Sequence, residues 1–294
     1  MREAFGGSYR NPVSRGFLTE PGLESPRSAF PTNRAYLKLI DLHCHFLPGI
    51  DDGPDSEEAS LELAQAWVDS GVNRIVATPH VNLRHQNSPD SIGKALRQMV
   101  GALERSAIDL QVEAGAEISA SVAIDLPEDE LGQLTLGDSD WLLIEPPTTS
   151  TPFGLHGTLF GISGKGWSIL LAHPERNPVF QEDIDLLVSL VDGGIKTQVT
   201  AGAFTGQYGR TAARTAARMM EMGLVHTVAS DAHHATLRPP EMAGPLTEAG
   251  YGHMVDYLCS EMPAWILDGG TEPRPPENTK TPKKGLLGRF RNRG

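Results

Sequence analysis

From Leu37 onward, short apolar runs alternate with stretches whose apolar residues recur at helical spacing. The runs are Leu37-Lys38-Leu39-Ile40, Val72-Asn73-Arg74-Ile75-Val76-Ala77, Leu110 to Ala114, Trp141-Leu142-Leu143-Ile144, Ser168-Ile169-Leu170-Leu171, Lys196-Thr197-Gln198-Val199 and Val225-His226-Thr227-Val228-Ala229. Continuous rather than alternating hydrophobicity predicts strands covered on both faces of a parallel sheet. Between them, Asp55 or Ser56 caps a stretch carrying Ala59, Leu63, Ala66 and Trp67 and ending near Gly71. Ser88 to Ser106 and Thr211 to Met222, closed by Gly223, read as further helices. Strand and helix alternate about seven times without a recurring period, which predicts an α/β fold, a single (β/α) barrel of seven strands.

Both ends break the pattern. Residues 1–35 hold few apolar side chains and many Gly, Pro, Ser and Arg, so they read as a disordered leader or an over-long start of the reading frame. Residues 36–268 form the expected barrel. Residues 269–294 read as a Pro-containing linker and a basic tail, with six Lys or Arg and no acid from Lys280 to Gly294. That segment mixes its bases with Leu286, Leu287 and Phe290. It reads first as a solvated tail and second as a contact for an anionic membrane or an acidic partner.

Composition narrows the function. The 294 residues are 39% hydrophobic and carry a net charge of −12, so a sizeable core is available and a nucleic-acid-binding body is disfavoured. Cys44 and Cys259 offer no disulfide framework and fit a reducing cytoplasm. No apolar run reaches the roughly 18 residues of a membrane span, and the start has no signal-peptide core. The Cys-x₅-Arg loop of covalent phosphatases is absent, since Ile50 and Trp265 stand six positions after the two cysteines. No Gly-x₄-Gly-Lys-[Ser/Thr] loop occurs either.

Against that background, ligand-type side chains stand at one strand end after another. They occur in Asp41-Leu42-His43-Cys44-His45, Asp51-Asp52-Gly53, Thr78-Pro79-His80, Gly115-Ala116-Glu117, Leu143-Ile144-Glu145, Ala172-His173-Pro174-Glu175-Arg176 and Ser230-Asp231-Ala232-His233. Taken singly, each is ordinary: a salt bridge, a capped turn, a surface charge. In series they matter, because successive strand ends of a barrel converge on one rim. Residues two apart in a strand point the same way, so Asp41, His43 and His45 are expected to face one site. His43 and His45 would hold a metal, with Asp41 a direct or supporting partner, and Asp52, His80, Glu117, Glu145, His173, Asp231 and His233 would join them. Nitrogen and oxygen donors without sulfur suit Mn²⁺, Fe²⁺, Zn²⁺ or Mg²⁺, and bridging carboxylates permit two or three ions.

These segments resemble the polymerase-and-histidinol-phosphatase (PHP) superfamily, and within it the bacterial capsular-polysaccharide type of metal-dependent protein-tyrosine phosphatase. The match over Asp41 to Gly53 is continuous, the other segments follow in family order, and Thr197-Gln198-Val199-Thr200 and Arg238-Pro239-Pro240 add group-specific signs. The resemblance spans about Leu37 to Asp268 and implies a distorted, TIM-like PHP barrel with a manganese-containing site of two or three ions. It implies that His43, His45, Glu117, Glu145, His173 and Asp231 with His233 hold two ions. Asp52 and His80 would complete a third, and Arg176 and Arg238 would bind phosphate. It further implies hydrolysis of phosphotyrosine on a bacterial tyrosine autokinase of exopolysaccharide or capsule biosynthesis, and it points toward an oligomer without naming residues for one. Water activated by the metals is the expected nucleophile, with both arginines taking up charge on phosphate oxygen. Two alternatives compete: a PHP phosphoesterase for a small molecule such as histidinol phosphate, and an inactive metal-holding scaffold. Phe153, Phe204 and Tyr208 are candidates for an aromatic rim, and the Pro146-Pro147 pair departs from the family pattern.

Overall fold

A computed structural model describes residues 38–147 and 154–276. The expected leader, Phe153 and the basic tail lie outside those residues. Among the described residues nine strands run in chain order: β1 (Leu39–Cys44), β2 (Val72–Ala77), β3 (His80–Val81), β4 (Gln111–Ala114), β5 (Glu117–Ser119), β6 (Trp141–Glu145), β7 (Ser168–Ala172), β8 (Lys196–Thr200) and β9 (Thr227–Ala229). Their ladders form two parallel sheets, β1-β2-β4 and β3-β5-β6-β7-β8-β9. The α/β class and the parallel pairing agree with the apolar runs, and all six residues of β1 are buried.

Nine strands in two sheets replace the expected single set of seven because two of those seven are interrupted. After β2, Pro79 has no N–H to give a ladder, and the chain re-enters the other sheet at His80. After β4, a Cβ on Gly115 would lie 2.7 Å from Val76 Cγ1, so the Val76 side chain fills the space that a larger residue would need. Each break falls just before a ligand-type residue, His80 or Glu117. The first strand also needs correcting: it begins at Leu39 and runs through Asp41 and His43 instead of stopping before them. Its far end is held on both sides. Thr78 N donates to Cys44 O at 2.9 Å, while Asp231 N donates to His43 O and His45 N to Ala232 O, both at 2.9 Å.

The helices that flank the sheets start where their caps predict. Ser56 Oγ accepts from Ala59 N ahead of α1 (Glu57–Asp69), and Ser88 with Ser91 forms a capping box ahead of α2 (Pro89–Ser106). Each such cap stabilises by about 1 kcal/mol. Helix α1 buries Leu63, Ala64 and Trp67 in the main apolar cluster. A smaller cluster gathers Ile40, Leu42, Val76, Leu143 and Leu170 under Ile266 and Leu267. No helix among the described residues is long and apolar enough to cross a membrane.

Candidate metal centre

Parallel strands deliver their C-terminal ends to one edge, and there the ligand-type side chains meet. Four groups have donor atoms within 4.8 Å of one another: His45, Asp52, His80 and His233; His43, His45 and Asp231; His43, Glu117 and His173; His80, Glu117 and Glu145. His43, His45, His80 and Glu117 each belong to two groups, so the set forms one connected centre. Glu117 is its hub: its Oε2 lies 3.0 Å from His80 Nδ1, 3.3 Å from His43 Nε2 and 3.4 Å from His45 Nε2, and its Oε1 2.6 Å from His173 Nε2. Asp231 Oδ1 stands 3.5 Å from both His43 Nε2 and His45 Nε2.

Two departures from the expected partition are clear. His233 stands with Asp52 and His80, because its Nδ1 turns 3.0 Å to Asp231 O and leaves Nε2 3.3 Å from Asp52 Oδ1. Asp41 does not join the centre. The β1 register shifts between Asp41 and Cys44, so strict alternation fails there, and the carboxylate turns to Trp67 Nε1 at 2.9 Å and to Ser230 N at 3.0 Å.

The donor set fits divalent ions on two grounds. His43 Nδ1 donates to Gln198 Oε1 at 2.8 Å and His45 Nδ1 to Asp51 Oδ2 at 2.7 Å, which leaves each Nε2 as a lone pair aimed inward. Both Nε2 atoms are buried and lack any hydrogen-bond partner. An unpaired acceptor in such a place costs free energy that a cation removes. Charge gives the second ground. Burial and the neighbouring Glu117 carboxylate push Glu145 up to about 7, a like-charge conflict that a shared cation relieves. Burial also opposes charge on Glu117 and Asp231, yet both sit well below the ordinary carboxylate range. For Asp231, Arg176 is the leading partner that outweighs burial; for Glu117 the opposing partners are the surrounding His43 and His173, a role that a bound cation would take over with those rings neutral. Burial and Arg176 bring His173 down to about 4, which keeps its ring neutral.

The arginines stand at the edge of the same cleft, a space of about 410 Å³. Arg176 Nη2 and Arg238 Nη2 reach Asp231 Oδ2 at 2.8 and 2.7 Å, so the two oxygens of Asp231 face opposite partners. Tyr208 packs its ring on both guanidiniums, 4.6 Å from Arg176 Cζ and 5.9 Å from Arg238 Cζ. Phe204 packs on Tyr251 instead of joining a rim. Among the other histidines, His85 stacks on His80, and exposed His234 accepts from Thr236 N within its own turn.

Asp51 stands beside Asp52 in the sequence, Gln198 within Thr197-Gln198-Val199-Thr200 and Trp67 on an apolar helix face, with little in the chain to show the supporting contacts they make. A carboxylate directly before Asp52 was the one available signal. Backbone strain was not readable at all: His173 (φ +34°) and Asp231 (φ +53°) adopt left-handed conformations, which cost a non-glycine residue about 1–3 kcal/mol.

Residues 39–255 match the model of the family described as capsular polysaccharide synthesis, CpsB/CapC. The chain is 35% identical over 258 residues to the tyrosine-protein phosphatase YwqE of Bacillus subtilis, covering 86% of this chain and all of that protein. It is 32% identical over 212 residues to the tyrosine-protein phosphatase CpsB of Streptococcus pneumoniae, covering 69% of this chain and 86% of that one. A solved structure from work on YwqE and CpsB, described as unique metal-dependent tyrosine phosphatases, superposes with a TM-score of 0.71 at 32% identity. It covers 82% of this chain and 100% of that one.

Proposed function

Since this chain belongs to the CpsB/CapC family of capsular polysaccharide synthesis, we propose that it is a metal-dependent tyrosine-protein phosphatase acting on a tyrosine kinase of capsule or exopolysaccharide production. The observation that carries the reading is the pairing of two arginines with a histidine–carboxylate centre in one cleft. A phosphate group uses both, the metals and the guanidiniums each neutralising charge on its oxygens. We assign His43, His45, Asp52, His80, Glu117, Glu145, His173, Asp231 and His233 to two or three divalent ions, a donor set that suits Mn²⁺, Fe²⁺, Zn²⁺ or Mg²⁺, with manganese the ion that the family resemblance implies. The two sheets with their bridging bonds between the β1 end and the chain after β9 support reading the fold as a distorted barrel.

Divalent ions, when bound, supply the Lewis acid that lowers the pKa of water and neutralises phosphate charge. The chain does the rest. Arg176 and Arg238 each spend one N–H on Asp231 and keep others for phosphate oxygens, where a planar guanidinium gives direction as well as charge. Burial opposes the charge on Arg176, but Asp231 and Glu175 hold its pKa above the ordinary value, so it stays cationic. Gln198 and Asp51 keep His43 and His45 in one tautomer, and His173 stays neutral. A phenolate leaves readily, so no dedicated protein acid is required. Two buried thiols, Cys44 and Cys259, suit a reducing cytoplasm.

The test is turnover of a phosphotyrosine peptide by protein supplied with Mn²⁺. Chelation should abolish it, and Arg176→Ala should lower kcat/KM by about 100-fold. Full activity after either treatment would reject the assignment, and faster turnover of histidinol phosphate would reject the substrate.

A further inference from the structure

Four large apolar side chains are exposed among the described residues, and the two most exposed stand within three positions of side chains that line this cleft: Leu83 at 80%, three after His80, and Leu237 at 77%, directly before Arg238. Neither sits on a loose loop. Val81 and Gln86 form an antiparallel bridge that closes a tight turn, Asn82 N donates to His85 O at 3.0 Å, and Asn82 Oδ1 accepts from Arg84 N at 2.9 Å and His85 N at 2.8 Å. Leu83 projects from that turn. On the other side, His234 and Arg238 form an antiparallel bridge, and His234 Nδ1 accepts from Thr236 N at 3.1 Å, which fixes the turn carrying Leu237.

Each turn is rooted in the centre. The first follows His80 directly and the second lies between His233 and Arg238. Asp52 joins the two roots, with Oδ1 at 3.5 Å from His80 Nε2 and 3.3 Å from His233 Nε2. A leucine held in water by a hydrogen-bonded turn gives up apolar burial that a loose loop would recover by collapsing. Such a residue is set out for contact. What comes to this rim follows from the reading above, on which this inference rests. A phosphotyrosine side chain that enters the cleft brings its own polypeptide across the mouth, where the leucines stand.

We propose that Leu83 and Leu237 form a two-point apolar grip on the substrate polypeptide on either side of the phosphotyrosine, selecting protein substrates over small aryl phosphates. The grip needs apolar side chains near the phosphotyrosine and leaves the reacting phosphate untouched. It therefore contributes to KM and kcat/KM for a peptide and contributes nothing for a substrate that ends at the ring.

The experiment compares the Mn²⁺-loaded full chain with its Leu83→Gln, Leu237→Gln double variant on p-nitrophenyl phosphate and on a phosphotyrosine peptide with leucine on both sides. Glutamine keeps the side-chain length at two exposed positions, so folding is preserved and a thermal scan verifies it. Loss of about tenfold in kcat/KM on the peptide is expected, mostly through KM, with p-nitrophenyl phosphate unchanged. An equal fall on both substrates would overturn the grip, because the turns would then serve the centre itself. No change on the peptide would also overturn it. So would a shift in oligomeric state with peptide kinetics intact, since the leucines would then face a second copy. Failure of the wild-type protein to hydrolyse either substrate would instead reject the phosphatase reading beneath it.

Discussion

At the scale of single residues, what separates a ligand from a charged neighbour is its other contact. His43 and His45 qualify because Gln198 and Asp51 occupy their Nδ1 atoms and nothing occupies Nε2. Gln198→Ala should weaken metal affinity by 10- to 100-fold, the usual effect of removing a partner behind a histidine ligand. Titrating activity against Mn²⁺ should show this as a rightward shift with the plateau nearly preserved; an unmoved midpoint would mean that Gln198 does not orient His43. The ligand-type residues themselves were legible, since their spacing and their places after apolar runs are properties of the chain. Gln198 was not, because the contact with His43 spans 155 positions and only folding creates it. Asp41 was left open between a direct and a supporting partner, and the folded contacts are those of a supporting one: its carboxylate accepts from Trp67 Nε1 and from Ser230 N, beside Asp231.

At the scale of elements, the strands were legible from their apolar runs, and helix starts from Ser56 and Ser88. The splitting of two strands at Pro79 and Gly115 was not, since a close interstrand approach is a property of the pair. The junction of β8 and β9 offers a test well away from the centre. His226 Nδ1 accepts from Thr197 N at 3.1 Å, and burial together with the Lys196 charge lowers its pKa to about 4; Glu272 opposes weakly. A depressed histidine favours the neutral form in the fold. Its contribution is therefore complete above the unfolded value near 6.5 and is lost as pH falls toward 4, on the order of 3 kcal/mol in all. Urea unfolding of wild type and His226→Gln between pH 7.5 and 4 should show the wild type losing more stability by that amount. Parallel curves would show that His226 is not held neutral.

For the molecule as a whole, the centre is where the fold is least at ease. Buried histidine Nε2 atoms without hydrogen-bond partners and two carboxylates in conflict are conditions that ions correct, so binding and folding are linked. With ions at 100 to 1,000 times their Kd, stability should rise by about 3–4 kcal/mol per site. Thermal unfolding with Mn²⁺ and then with excess chelator should differ by several degrees, and coincident transitions would refute that linkage. Much of this was foreshadowed by the order of segments along the chain; its energetic cost was not, because strain and desolvation exist only in the folded state.

The left-handed backbone at His173 and Asp231 carries a consequence for how such a protein can change. Without ions either position would be more comfortable as glycine, so in the metal-free chain stability and chemistry pull in opposite directions at the same two residues. Laboratory evolution that rewards survival at high temperature in the presence of chelator would erode the catalyst first and the scaffold last. A lineage that keeps both residues advertises, by that retention, that it is still paid for turnover.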